Sequence, residues 1–274
     1  MFGRGRRREF AGKAVAVTGG ASGLGAAFAR RFARAGAKLA LLDLDGEAAK
    51  RTASELEAEG TECLALPCDV SDEAACREAI AAVVRRFGGL DVLVNNAGIT
   101  HRSAFAETDT AVYRKVMGVN FFGPLYCTKA ALPSLLERRG LVVVVSSIAG
   151  VAPLYGRTGY AASKHALHGL FGSLRAELAQ AGVEILIVCP GFTATGLSRA
   201  ALDADGSVTR HPQSTVGRIA TPESVANAVF EAASRGRRLL VLSATGRAAF
   251  VLSRLAPALY EKLMARSLRN ELER

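Results

Sequence analysis

The chain has 274 residues, half of them hydrophobic, and a formal net charge of +10. That length and apolar content suit one large α/β domain with a sizeable core and leave no room for two full domains. Runs such as Leu141 to Val145 fall far short of the roughly 20 residues of a membrane-spanning helix.

The five cysteines (63, 68, 76, 127 and 189) are odd in number and never spaced Cys-x-x-Cys, which points to a reducing compartment and to no metal site. Residues 1 to 11 form a basic arm with no apolar secretory segment, so the expected location is cytoplasmic. Five Arg/Lys stand against one Glu in residues 1 to 13, and nine against three in residues 235 to 274, while the stretch between is balanced. Neither basic end carries the base-reading residues of a nucleic-acid binder, and no nucleic-acid partner is expected.

Ala14 to Thr18 reads as a short buried strand that enters the turn Gly19-Gly-Ala-Ser22-Gly23-Leu24-Gly25 and then a helix. Glycines there permit close backbone approach to a diphosphate, and the helix N-terminus favours its charge. A second strand, Lys38 to Asp43, ends in an acid 18 residues past Gly25, near the spacing at which a carboxylate meets an adenosine ribose. Asp43 would repel a 2′-phosphate and Leu44 offers no cation, so NAD(H) is expected in preference to NADP(H). The other reading of Asp43 is a cap for the helix at 46 to 59. A strand at 63 to 68 leads to Asp69 and Val70, with Asp69 placed for an adenine edge. A strand at 90 to 94 delivers Asn95-Asn96-Ala97-Gly98, small residues that allow close cofactor approach. One long helix is expected from Asp109 to Arg139, with Asn120 in its middle. An amide is a poor helix former, so Asn120 should have a local task.

Leu141 to Val145 reads as a buried strand whose carboxyl end carries Ser147, the end at which open parallel sheets bind ligands. On the next helix, 157 to 180, Tyr160 and Lys164 lie one turn apart on one face. A cation beside a phenol lowers its pKa and makes it a usable acid or base, although Tyr-x-x-x-Lys alone also fits an ordinary surface pair. His165 and His168 are expected on a helix flank. A strand at 183 to 188 precedes Pro190-Gly191, and residues 192 to 217 lose all periodicity, as a lid or binding loop does. Strands and helices alternate throughout, giving an α/β, doubly wound parallel sheet with helices on both faces. The last strand is expected at 238 to 243. Residues 246 to 274 form a basic extension with an amphipathic helix from about 257; its apolar stripe fits either a neighbouring subunit or an anionic membrane at the inner face.

The order and spacing of Thr18-Gly-x-x-x-Gly-x-Gly25, Asp69, Asn95-Asn-Ala-Gly98, Asn120, Ser147, Tyr160-x-x-x-Lys164 and Pro190-Gly191 resemble the short-chain dehydrogenase/reductase family over about residues 10 to 245. The resemblance implies a seven-stranded Rossmann sheet, a homodimer or homotetramer, and a nicotinamide cofactor held by Gly19, Ser22, Gly23, Leu24, Gly25, Asp43, Asp69, Val70, Asn96, Ala97, Gly98, Tyr160, Lys164, Pro190, Gly191 and Thr195. It also implies a catalytic tetrad of Asn120, Ser147, Tyr160 and Lys164. Tyr160 would exchange a proton with the substrate oxygen, Ser147 would orient that oxygen, Lys164 would hold the ribose and lower the Tyr160 pKa, and Asn120 would hold a water. Thr195 would touch the carboxamide, though Thr193-Ala194 departs from the commonest pattern. The expected reaction interconverts a secondary alcohol and a ketone. The apolar candidates Val151, Pro153, Leu154, Tyr155, Phe192 and Leu197 suggest a hydrophobic substrate, or serve only as packing. The other class of function is a fold of this kind that senses nucleotide or scaffolds without turnover.

Overall fold

A computed structural model of the chain describes residues 7–272. Seven strands form one parallel sheet: β1 (Ala14–Thr18), β2 (Lys38–Asp43), β3 (Cys63–Pro67), β4 (Val92–Asn95), β5 (Leu141–Val145), β6 (Glu184–Cys189) and β7 (Leu239–Val241). Their spatial order is β3-β2-β1-β4-β5-β6-β7. The chain winds outward from β1 through β2 to β3 and then returns to lay β4 on the other side of β1, so the carboxyl ends of β1 and β4 form the switch point where ligands bind in such sheets. Central strands are buried along their whole length, as in the BBBBB pattern of β1 and β5, because helices cover both faces. Alternate side chains feed the two layers. Val15 and Val17 pack with Phe28 and Phe32 of α1 (Gly23–Ala33), Leu56 of α2 (Gly46–Ala58) and Val229 of α7 (Pro222–Ser234). Ala16 and Val142 face Ile80 of α3 (Glu73–Phe87), Leu135 of α5 (Gly123–Arg138) and Phe171 of α6 (Thr158–Glu177).

The N-terminal arm is anchored where it enters the described residues. Phe10 packs 5.0 Å from both Phe32 and Phe230, and Arg8 donates its backbone N–H to Ser234 O. Most of the basic arm, residues 1 to 6, lies outside the described residues.

Three expectations are corrected. The long helix over 109 to 139 is instead α4 (Thr110–Met117), a π-helical turn at Gly118–Phe122, and α5. One wide turn of this kind commonly marks a functional position inside a helix, and Asn120 lies in it. The last strand is three residues rather than six. The helix expected from about 257 is present as α9 (Pro257–Leu268), but a further helix, α8 (Ala244–Leu255), precedes it across Ala256, and one side of the pair covers its own chain. Arg254 Nη1 donates to Val151 O at 3.1 Å, the Tyr260 hydroxyl to Pro153 O at 2.8 Å, and the Tyr155 N–H approaches Met264 Sδ at 2.9 Å. Leu268 is buried. The stripe read as subunit- or lipid-facing thus divides, with Tyr260, Met264 and Leu268 turned inward. Val251, Leu255, Leu259 and Leu263 remain 46% to 81% exposed.

The segment 192 to 217 is irregular but tied down. Leu202 bridges both His101 and Val208, and Ala201 and Leu202 are buried.

Candidate active site

The turn after β1 is held from three sides. Gly19 takes φ +62°, a conformation that favours glycine, and a Cβ there would come within 3.0 Å of Ala97 Cα. A Cβ on Gly25 would overlap the Gly19 carbonyl oxygen. Asn96 Nδ2 donates to Thr18 O and Gly19 O at 3.0 and 3.1 Å, and Thr18 Oγ1 accepts the N–H groups of Asn96 and Ala97, both at 3.0 Å. The side chain of Asn96 therefore shapes the glycine turn. Ser22 is the N-cap of α1 without a side-chain capping bond, so its hydroxyl and the first-turn N–H groups could hold an anion.

Asp43 sits at the carboxyl end of β2, where Oδ2 accepts from Ala21 N at 2.9 Å and Oδ1 from Asp45 N at 3.1 Å. It does not cap α2. Asp45 does, accepting from Ala48 N at 2.9 Å. Asp69 is exposed and binds the N–H and hydroxyl of Ser71, with the buried Val70 beside it. Across the glycine turn stands Thr195, whose Cβ lies 3.4 Å from where a Cβ on Gly23 would be. The Pro190 carbonyl accepts from Ile148 N at 3.2 Å, which joins the Pro190-Gly191 turn to the Ser147 turn.

Ser147 stands two residues past the end of β5, and its hydroxyl accepts from Ala149 N at 3.1 Å. The Tyr160 phenol is 8% exposed; burial pushes its pKa up, while the hydrogen-bonding Ser147 hydroxyl and the Arg157 guanidinium pull it back. Lys164 is 4% exposed and donates to Val145 O at 2.9 Å, and desolvation lowers its pKa to about 8. In this arrangement the Lys164 ammonium turns to a strand carbonyl and stands 5.8 Å from the Tyr160 ring centre, and burial is the largest influence on the phenol. Asn120 is fully buried; Oδ1 accepts from Ile99 N, and Nδ2 donates to Ile99 O and Ser163 Oγ, all at 2.9 to 3.0 Å. A Cβ on Gly98 would lie 3.2 Å from Asn120 Oδ1 and 3.5 Å from Lys164 Nζ, so these two side chains meet at the turn that follows β4. Through its side chain, Asn120 acts here as a clasp on Ile99.

Sequence reasoning missed four buried polar residues: His101, Arg102, Arg157 and Glu271. His101 Nε2 accepts from Gly159 N at 2.9 Å, which assigns the neutral tautomer with its proton on Nδ1, 3.1 Å from Ser103 Oγ. It also missed the part of His168, which is not a simple flank residue but lies 3.0 Å from Ser146 Oγ. None of these sits in a spacing motif; the only signal was that polar residues interrupt segments otherwise fit for burial. Of the apolar pocket candidates, Pro153 and Tyr155 are engaged by α9.

The donor set fits a dinucleotide. A helix N-terminus with an uncapped serine suits a diphosphate, and Asp43 at the next strand end suits a ribose.

Comparison with known proteins agrees with this geometry. A model of the family described as short chain dehydrogenase matches residues 13–205. The chain is 39% identical to Dehydrogenase/reductase SDR family member 7B of Bos taurus, over 97% of this chain and 85% of that protein. It is 34% identical to Dehydrogenase/reductase SDR family protein 7-like of Drosophila melanogaster, over 95% and 82%. Among solved structures, a short chain dehydrogenase/reductase from Burkholderia phymatum in complex with NAD superposes with TM-score 0.82 at 29% identity, covering 92% of this chain and 96% of that one. An alcohol dehydrogenase from the archaeon Thermococcus sibiricus, complexed with 5-hydroxy-NADP, gives TM-score 0.72 at 27% identity, covering 84% and 94%.

Proposed function

The chain belongs to the short-chain dehydrogenase/reductase family, a family of nicotinamide-dependent oxidoreductases, and on that premise we propose that it prefers NAD(H) and interconverts a hydrophobic secondary alcohol with its ketone. The observation that carries the reading is the meeting of Ser147, Tyr160 and Lys164 at the carboxyl ends of β5 and β4, beside a glycine turn built for a diphosphate.

A nicotinamide held there would supply or accept the hydride; the chain's own residues do the rest. In reduction, Tyr160 gives its phenolic proton to the carbonyl oxygen as charge develops on it, and Ser147 donates a hydrogen bond to the same oxygen. A phenol kept protonated by burial is ready for that direction. In oxidation the same groups work in reverse: Tyr160 must be ionised to take the alcohol proton, and the Ser147 hydroxyl and Arg157 guanidinium favour that form. Lys164, part-titrating near pH 8, adds positive charge to the same end of the sheet. Val151, Leu154, Phe192 and Leu197 support an apolar substrate by their chemistry.

NAD(H) preference is supported by Asp43 at the end of β2 and by the 75% exposed, uncharged Leu44 after it. The Burkholderia structure holds NAD and the Thermococcus structure 5-hydroxy-NADP, so the support for NAD(H) here is Asp43 and Leu44. Steady-state kcat/KM for NADH and NADPH with a panel of aliphatic and cyclic ketones tests the reading. NADH should be favoured, and Asp43→Ser with Leu44→Arg should shift the ratio toward NADPH. Wild-type preference for NADPH would remove Asp43 from the ribose, and cofactor binding without turnover of any ketone would favour the scaffold function.

Peripheral contact with an anionic membrane surface is part of the proposal. Its support is the exposed apolar set Val251, Leu255, Leu259 and Leu263 beside the exposed cations Arg247, Lys262 and Arg266 on α8 and α9.

A further inference from the structure

Three segments, the turn after Gly98, the loop leading into α6 and the end of the lid, converge on one carboxylate near the end of the chain. Glu271 is 1% exposed and lies between the equally buried Arg102 and Arg157. Its Oε2 stands 2.6 Å from Arg157 Nη2 and 3.9 Å from Arg102 Nε, and its Oε1 accepts the Ser214 N–H at 2.5 Å. Among the described residues it is the one carboxylate ion-paired with either guanidinium.

Each partner leads to a different part of the site. Arg102 follows the Gly98 turn and donates to the carbonyls of Ser198 and His211 in the lid, while its backbone N–H bonds Leu202 O at 2.8 Å. Arg157 donates to Tyr155 O at 3.2 Å, and its own carbonyl accepts from Ala161 N at 2.8 Å in the first turn of α6, the turn that carries Tyr160. Ser214 belongs to the end of the lid. Leu272, next to Glu271, would lie 3.1 Å from a Cβ on Gly156, in the loop that α9 covers.

Two buried guanidiniums that share no other ion-pair partner repel one another, and a charge left buried without its partner relaxes toward solvent. The strands of the sheet do not depend on this cluster. What depends on it is the mutual placement of lid, loop and α6.

We propose that Glu271 is a positioning residue for the reaction: through Arg102 and Arg157 it fixes the lid over the cleft and the first turn of α6 beneath Tyr160, which makes the C-terminal extension part of the catalytic unit. This rests on the oxidoreductase reading for its kinetic consequence only. Arg102 and Arg157 serve as its two arms.

The test uses the full chain saturated with NADH, as wild type, Glu271→Ala and the near-isosteric Glu271→Gln. Trypsin has sites in and beside the lid at Arg199, Arg210 and Arg218 and sites in the body at Arg30 and Arg51. Lid cleavage, followed by mass spectrometry, should be about tenfold faster or more in both variants with body cleavage unchanged, because proteolysis tracks the open population. For a ketone that the wild type reduces, KM should rise by about tenfold while the NADH dissociation constant stays within about twofold, since a misplaced wall costs substrate positioning and not cofactor contacts. Should the alanine variant fail to fold, the glutamine variant carries the same test. A variant that merely melts earlier, with lid cleavage and KM as in the wild type, overturns the proposal. If the wild type reduces no ketone, the cleavage ratio still decides the role of Glu271, and only the oxidoreductase reading falls.

Discussion

His101 and His168 are both kept neutral by burial, each pushed down to about 4 from an ordinary value near 6.5, with Arg157 adding to the effect at His101 and His165, Arg254 and Arg175 at His168. The unfolded chain therefore takes up protons between about pH 6.5 and 4 that the folded chain refuses. Stability is full above the unfolded value and falls as pH drops through that window. At His101 the cost has a visible cause, because protonating Nε2 would set a donor against the Gly159 N–H that opens α6. Urea denaturation at pH 7.5, 6 and 5 should show a falling midpoint. The replacement His101→Gln, which keeps an acceptor near Gly159 without a titrating ring, should remove roughly half of that fall if the two histidines contribute alike. An unchanged pH slope would contradict the assignment. The Asp43 outcome shows how a local rule can be right in kind and wrong in residue: an acid does cap α2, but it is Asp45, leaving Asp43 at the glycine turn.

Among the elements, the π-helical turn at Gly118–Phe122 has the most to do for its length. It aims the Asn120 amide at both backbone groups of Ile99 and at Ser163, so the end of β4 is bound to α6 through one side chain. Asn120→Ala should lose stability by several kcal/mol in urea denaturation, since each buried polar group left unpaired costs about 1–3 kcal/mol. A loss below about 0.5 kcal/mol would mean the clasp is replaceable by water. Periodicity made the strands legible because each is a short, fully apolar run between glycine or acid punctuation. It also showed Asn120 as an anomaly within a helix. What it did not show was the π turn, since one added residue leaves a helical pattern looking continuous. It equally missed the Glu271, Arg102 and Arg157 cluster, whose members are separated by 55 and 114 residues in sequence and carry charges that ordinarily mark solvent-facing positions.

At the scale of the whole molecule, α8 and α9 give the extension two sides, one seated on the loop at 151 to 156 and one exposing Leu255 and Leu259. Sedimentation with vesicles rich in an anionic phospholipid should carry the full chain down, in a salt-sensitive way, and replacing Leu255 and Leu259 by Ser should release it. Salt-insensitive binding would point to lipid chemistry other than charge. Light scattering that shows the same double variant falling to a smaller species, with no vesicle binding by the wild type, would instead assign the face to a second copy of this chain. The proposed reaction turns on Tyr160 exchanging a proton with the substrate oxygen from within a cofactor-loaded sheet end. The most direct measurement is ketone reduction by wild type and Tyr160→Phe at saturating NADH, with NADH affinity from fluorescence titration. The variant should bind NADH within about twofold of the wild type and lose roughly 10²- to 10⁴-fold in kcat; retention of more than about a tenth of kcat would contradict it.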